Sequence, residues 1–347
     1  MAQVIGTGYY PDSNQYAANY INWIRRNFSN KLVLQNLWKS TPFLRYILEK
    51  RSMPVAGGFN PITQPVLLSN FGNTVQYAGF GGTITPNAIT NPAQNAQWNQ
   101  ALATCTLDYM IPELALMAGS EADNLLVIDT VKARMNDAYK ATLAFMSAAF
   151  LGTAGSNALA FNGILDAVDN GTNAPNYGGI TRATNANWNS IVYTNNQPST
   201  TPAYQVLYYY LSSFKADSNN VSPTFGVTSP EVYQAVLTSF SSIERMIVAQ
   251  PKSIMEERSY TVDALDVAGV PLVVDPNLTG SDIYYLNTDH LAYKYSPLLN
   301  FKMTEPAPLE AVNLLGYRQT LMVCGNLITD LPSSHFHLAS APSVTLA

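Results

Sequence analysis

"PTFGVTSPEVYQAVL", residues 223–237, and "VAGVPLVVDPNLTGSDIYYLNTDHL", residues 267–291, are the stretches on which the fold turns. In the first, TFGVTS has the composition of a strand, Ser229 stands as an N-cap and Pro230 takes the first helical position of SPEVYQAVLTSFSSIERMI. In the second, VPLVVDP and IYYLN read as strands divided by the turn PNLTG. A strand passing into a capped helix and followed by two more strands describes an α+β unit.

Upstream lies the strongest helix pattern of the chain, SEADNLLVIDTVKARMNDAYKATLAFMSAAFLG, from Ser120 to Gly152. Ser120 with Asp123 has the form of a capping box, Glu121 and Asp123 suit the positive end of the helix dipole, and Gly152 stands where a terminating glycine belongs. Leu125, Ile128, Val131, Met135, Ala138, Thr142, Phe145 and Ala149 predict its apolar stripe. Such a helix over 120–151 would be about 45 Å long. Residues 153–202 are rich in Asn and Gly and read as ordered loops around a helix fragment, with a further helix expected over 203–215. After residue 291 more strands are expected to Met303, and a last long one within NLLGYRQTLMVCGNLITDL, residues 313–331.

Ahead of the long helix, Ser52 to Leu107 contains no Asp, Glu, Lys or Arg. PVLLSN, TVQYAGF and GTITP have strand composition within it, and ALATCTLDYMIP alternates with period two. The pattern predicts an extended hairpin that leaves the body of the protein and returns at 107–111. Before it, Tyr16, Tyr20, Trp23, Ile24 and Phe28 recur at helical spacing, and Pro42 opens a new helical turn, together an N-terminal arm. Residues 1–51 carry Arg25, Arg26, Lys31, Lys39, Arg45, Lys50 and Arg51 against Asp12 and Glu49, a net +5 that leaves −10 for the rest. A basic arm of this kind suits a polyanion.

Charged residues make up only 12% of the chain, against about 25% in ordinary domains. Asn, Gln, Ser, Thr and Tyr take their place, as at surfaces later buried against other protein. No apolar stretch reaches the ~18 residues of a membrane span, and the N-terminus lacks a secretory leader pattern. Cys105 and Cys324 are too few for a disulfide framework and are expected as buried thiols. GFGGT, residues 79–83, lacks the Lys-Ser or Lys-Thr of a phosphate loop. His335 and His337 have no third ligand nearby and read as ordinary exposed or half-buried histidines of a Ser- and Pro-containing tail, and His290 has no catalytic context. Asp166 with Asp169 and Glu256 with Glu257 read as solvated or salt-bridged pairs. No catalytic site, metal or cofactor is expected, and no membrane partner.

The order of these elements, with "YGGITRAT" (177–184), "PTFGVTSPEVYQAVL" and "VAGVPLVVDPNLTGSDIYYLNTDHL" as its most specific pieces, resembles the major capsid proteins of tailed bacteriophages, the Hong Kong 97 type of shell protein, over nearly the whole chain. The resemblance implies an N-terminal arm and start of a peripheral domain at 1–52, an extended loop at 53–107, a peripheral domain at 108–195 with spine helix 120–151, an axial domain at 196–282, and return strands of the peripheral domain with the C-terminal part of the axial domain at 283–347. It implies a non-enzymatic subunit that assembles with copies of itself, as hexamers and pentamers, into an icosahedral head around double-stranded DNA. Tyr77, Phe80 and Trp98 are expected at inter-subunit contacts, and Arg25, Arg26 and Lys31 at the inner surface facing DNA or scaffold. Separate scaffolding, portal and cement proteins are implied partners, the virion the implied location, and the host bacterial cytoplasm the implied place of assembly. The family's type member welds its subunits through a lysine of the extended loop. This loop has none, so the contacts are expected to be non-covalent. An encapsulin-like compartment shell, and a polar β-rich glycan-binding protein or enzyme, are the alternatives the same residues leave open.

Overall fold

The computed structural model describes residues 41–55, 61–68, 93–110, 121–155, 157–218, 222–240, 264–309, 314 and 316–343. Its helices are α1 (Pro42–Lys50), α2 (Glu121–Leu151), α3 (Ile164–Ala167), α4 (Ala203–Asp217) and α5 (Pro230–Phe240). The strands in chain order are β1 (Ser52–Pro54), β2 (Ile62–Leu67), β3 (Ala93–Trp98), β4 (Ala101–Met110), β5 (Asn176–Tyr177), β6 (Ile180–Thr181), β7 (Ile191–Thr194) and β8 (Phe225–Thr228). They continue with β9 (Ala264–Val267), β10 (Val270–Val274), β11 (Ile283–Leu286), β12 (Leu291–Tyr295), β13 (Lys302–Met303), β14 (Ala307–Pro308), β15 (Gly316–Thr329) and β16 (Phe336–Ala339). Contacts divide the chain into one unit of residues 1–37, 102–145 and 298–324 and a second of 38–101, 146–297 and 325–347.

The second unit is built on a six-stranded sheet in the order β7-β16-β11-β8-β10-β9. Strands β8 and β10 run parallel with Val227 opposite Val273, and β9 and β10 form a hairpin closed by Ala268 and Gly269 at φ of 55° and 85°. Two left-handed residues are what a two-residue hairpin turn requires. Helix α4 repeats apolar residues at spacings of three and four, so Val206, Leu207, Tyr210, Leu211 and Phe214 face the sheet. They meet Val232 and Val236 of α5 and Leu272, Ile283, Tyr285 and Phe336 of the strands. Ser229 caps α5 as expected, its Oγ 3.5 Å from the Val232 N–H, while its own hydroxyl donates to the Gly280 carbonyl at 2.6 Å. Helix α1 starts at Pro42, as the sequence indicates, and stacks Tyr46 on Phe225 at 5.2 Å. Arg45 and Arg51 of the basic N-terminal segment are committed internally, to Glu49 and Asp289 respectively.

In the first unit β4 lies beside the Gly316–Cys324 half of β15, which also pairs with β13 and β14. Arg318 donates two bonds of 2.6 Å to the Asp108 carboxylate across the ladder, and this holds Asp108 below the usual carboxylate range. The buried positions of β4, Ala101, Leu107 and Tyr109, share the alternation read from the sequence.

Helix α2 begins within a residue of the expected start, although Ser120 itself lies outside the described residues. Its apolar stripe is out of phase with the expected one at the C-terminal end. Val131, Met135, Ala138 and Thr142 are buried, but so are Tyr139, Leu143, Met146 and Phe150, while Phe145 is 57% exposed and Ala149 is half-buried. The expected positions followed a seven-residue repeat. A straight helix drifts about 20° per seven residues against that repeat, so after two or three repeats the buried line has moved by one residue.

The tail after Asp330 also differs from expectation. It forms β16, inside the six-stranded sheet, with Phe336 and Leu338 fully buried. His335 is fully buried, its Nδ1 accepting from the Asn287 N–H at 2.9 Å, which places its own proton on Nε2 toward Thr329 Oγ1 at 2.8 Å. Burial, helped by His290, pushes its pKa down to about 3. His337 stacks on Tyr284 at 4.5 Å and stands 3.5 Å from Asp282. Asp275 moves the opposite way: burial lifts it to about 6 against N–H bonds from Asn277 and Phe43.

These two groups give acid stability a defined slope. An unfolded histidine binds its proton near pH 6.5 and folded His335 only near 3, so its contribution is complete above 6.5 and lost as the pH falls through that window. Folded Asp275 keeps its proton up to about 6 against 3.8 unfolded, so its contribution is present in acid and lost as the pH rises from 3.8 to 6. The histidine is displaced further. The melting temperature should therefore fall on acidification from pH 6.5 to 4, and His335→Gln should flatten or reverse that dependence; an unaltered slope in the variant would contradict the assignment.

Candidate subunit-contact site

Strands β2 and β3 pair antiparallel, with Ile62 opposite Trp98 and Leu67 opposite Ala93, and form the root of the uncharged hairpin. Ile62 and Val66 on one strand and Ala96 and Trp98 on the other are buried, whereas Thr63, Pro65, Asn95 and Gln97 are exposed. Alternation of this kind fixes the register, because a slip of one residue would turn the buried set to solvent.

Polar tethers fix the root from several directions. Gln64 sits between two elements: Lys294 Nζ of β12 donates to its Oε1 at 2.7 Å and its Nε2 donates to Asp330 Oδ2 at 3.2 Å. Asp330 also meets His290 Nδ1 at 2.9 Å. Burial draws the Lys294 pKa down while Asp330 opposes it. On the other strand, Asn326 Nδ2 donates to the Asn99 carbonyl at 2.7 Å, and Asn187 Nδ2 holds the Leu68 carbonyl at 2.7 Å.

Trp98 is 3% exposed. Its ring meets Tyr177 edge-on at 5.7 Å, and Gly178 lies so close that a Cβ there would stand 2.8 Å from the indole. Tyr177 and Ile180 close the β5–β6 hairpin through Gly178 and Gly179, at φ of 60° and 73°, and Gly178 accepts the Gln97 N–H at 2.8 Å. The motif YGGI is thus a tight turn whose bare backbone clamps the hairpin root. Trp98, expected at a neighbour, is enclosed within its own subunit. Tyr77, Phe80, Arg25, Arg26 and Lys31 lie outside the described residues, as do the strands expected over 74–86.

Beneath this clamp is a buried charge that sequence reading passed over. Arg182 is fully buried, with Nη2 donating to the Asp166 and Ala167 carbonyls at 2.9 Å each, Nη1 to Ala174 at 3.0 Å and Nε to Trp188 at 3.3 Å. The Asp169 carboxylate stands 3.6 Å from Nη1 and the Tyr177 ring 5.2 Å from the guanidinium carbon. Burial alone would raise Asp169, but N–H bonds from Ala174, Gly171 and Asn173, with Arg182 beside it, hold it below the usual carboxylate range. Trp188 completes the group, its indole N–H donating to the Tyr177 carbonyl at 2.9 Å. One signal was available: in residues 141–214 the only charged side chains are Asp166, Asp169 and Arg182.

Asp169 and Arg182 satisfy each other and the backbone, and among the described residues no group of three His, Cys, Asp or Glu side chains could hold a metal ion. Cys105 and Cys324 are free thiols, half-buried and buried. Among the described residues no helix is long and apolar enough to cross a membrane.

No family model matches the chain, and no curated protein does. Solved structures do. The structure is similar to the cyanophage A-1(L) capsid asymmetric unit at a TM-score of 0.63 and 18% identity, over 88% of this chain and 93% of that one. It is similar to the capsid of Myoviridae phage XM1 at 0.53 and 11% identity, over 86% and 91%. The holo-SrpI encapsulin complex from Synechococcus elongatus PCC 7942 matches at 0.50 and 11% identity, over 87% and 89%. The chain has the α+β fold of these shell subunits, the Hong Kong 97-like fold that the sequence resembles.

The clamp at the hairpin root yields a stability prediction. Arg182→Met keeps the bulk but strands four carbonyls and the Asp169 charge. It should cost about 3–5 kcal/mol in equilibrium urea unfolding, and a loss below about 1 kcal/mol would show that the buried pair is not a main support.

Proposed function

We propose that this chain, folded as those shell subunits are, is a major capsid protein that assembles non-covalently into the icosahedral head of a tailed phage around double-stranded DNA. The observation that carries the reading is the likeness to the cyanophage capsid subunit, which spans nearly the whole of both chains. A hairpin with no charge between Ser52 and Leu107, held rigidly at its root by Gln64 and Trp98, supports it. A charge buried at a contact costs several kcal/mol, and a lattice repeats that cost at every copy.

In this reading the five segments expected from the sequence, 1–52, 53–107, 108–195, 196–282 and 283–347, are arm with the start of the peripheral domain, extended loop, peripheral domain, axial domain, and return strands with the C-terminal part of the axial domain. Tyr77 and Phe80 meet a neighbouring copy, and Arg25, Arg26 and Lys31 face DNA or a separate scaffold chain from within. Hexamers and pentamers of the chain form the shell, portal and cement proteins are further partners, and assembly takes place in the host cytoplasm. The second reading is an encapsulin-like compartment, favoured by the likeness to the holo-SrpI encapsulin, which is lower than that to the cyanophage subunit.

Particles isolated from the native source and treated with nuclease separate the two. Protected double-stranded DNA inside uniform shells of this chain is the expected result. Shells that release a cargo enzyme and no DNA would replace the phage reading with the compartment, and a chain that never enters particles would remove both.

A further inference from the structure

The hairpin is not the only long uncharged segment. Residues 183–214, between Arg182 and Lys215, contain no Asp, Glu, Lys or Arg, and all of them are described. They supply β7, an edge strand of the six-stranded sheet, the connection that follows it, and nearly all of α4. The outer face of a surface helix normally carries charge. Here Tyr204, Gln205, Tyr208, Tyr209 and Ser212 line a shallow groove of about 460 Å³, and the first charge of the helix is Lys215, one turn beyond Ser212.

Several polar atoms of this face are taken up by bonds within the helix. Ser212 and Ser213 donate their hydroxyls to the Tyr208 and Tyr209 carbonyls one turn back, at 2.8 and 3.0 Å, and Gln205 Nε2 donates to the Tyr204 hydroxyl at 2.9 Å. Two tyrosine side chains stand outward beside them, Tyr208 60% and Tyr209 53% exposed. Several rings are also fixed in place. Tyr204 stacks on Phe240 at 5.4 Å and Tyr209 meets Tyr210 edge-on at 5.2 Å. Tyr210 is anchored by donating to the Thr194 carbonyl and accepting from the Asn196 N–H, both at 3.0 Å. Rings held in position before contact lose little conformational entropy when they are covered.

We infer that the uncharged part of the outer face of α4, residues 203–214 centred on Tyr208 and Tyr209, is the seat of a second copy of this chain. The inference rests on the shell reading and assigns one of its contacts. Nucleic acid is a poor occupant, since a phosphate backbone needs Lys or Arg and the run has neither. A charged protein surface would be desolvated against rings that offer no counter-charge. An uncharged surface matches, and this chain brings uncharged surface with every copy at high local concentration in a lattice. The contact is of the head-to-tail kind, because closed rings are made by unlike patches meeting.

Two measurements test it. In Tyr208→Lys the free subunit should keep its melting temperature, because the side chain points to solvent, while the concentration needed for assembly should rise at least about tenfold; Tyr208→Phe should assemble as wild type. Independently of any variant, backbone amides of 203–217 in the wild-type chain should exchange hydrogen at least about tenfold more slowly in particles than in free subunits. Assembly of the Lys variant at the wild-type threshold, or equal exchange in the two states, would overturn the inference while leaving the shell reading standing. A wild-type chain that forms no particles would overturn both. Saturable oligosaccharide binding at Tyr208 and Tyr209, with assembly unaffected by the Lys substitution, would give this face to a glycan instead.

Discussion

The guanidinium of Arg182 has five N–H bonds to place in a fully buried site, and the loops of residues 166–188 are arranged around their placement. Four go to the carbonyls of Asp166, Ala167, Ala174 and Trp188, and the fifth is directed toward Asp169. Those carbonyls belong to separate turns of an Asn- and Gly-rich stretch. Their convergence positions Tyr177 and Trp188, the Tyr177–Ile180 turn positions Gly178, and Gly178 closes on Trp98 at the root of the hairpin. The root of the uncharged hairpin thus rests on a charge sealed inside.

Much of this architecture was legible in the sequence because it follows local rules. Ser229-Pro230 after TFGVT, the alternation in ALATCTLDYM and the length of the helix ending at Leu151 report their own secondary structure. The hairpin root was legible as a hairpin through composition, and its register came only with the structure. What escaped depends on contacts distant in sequence or on phase. The stripe of α2 drifts off a seven-residue repeat, so Phe145 was placed inside although it is exposed. Strand β16 is bounded by Pro332 and Ser340 and read as tail; it is a strand because β7 and β11 flank it. Trp98 looked like a contact residue because nothing around it in sequence announces Gly178, eighty residues on. Arg182 was overlooked because a lone arginine in a polar loop is usually solvated, and only the scarcity of charge around it argued otherwise.

Scarcity of charge also connects fold with function. A chain whose surface meets only water gains solubility from Lys and Glu at little cost. Two runs without any charge, 52–107 and 183–214, forgo that gain, and several described charges near them are paired within the chain: Arg51 with Asp289, Lys294 with Gln64, Arg182 with Asp169. Neutral surfaces rich in Tyr, Asn and Gln form many weak and reversible contacts, which suits a closed lattice in which misplaced subunits must be able to leave.

The most direct measurement is a cryo-electron microscopy reconstruction of particles assembled from this chain, at a resolution that traces residues 62–98. The account predicts a closed shell in which the segment between β2 and β3 rests on a neighbouring copy while its root keeps the Gln64 and Trp98 contacts. A hairpin lying against its own subunit, or a chain that forms no closed particle under any condition, would contradict it.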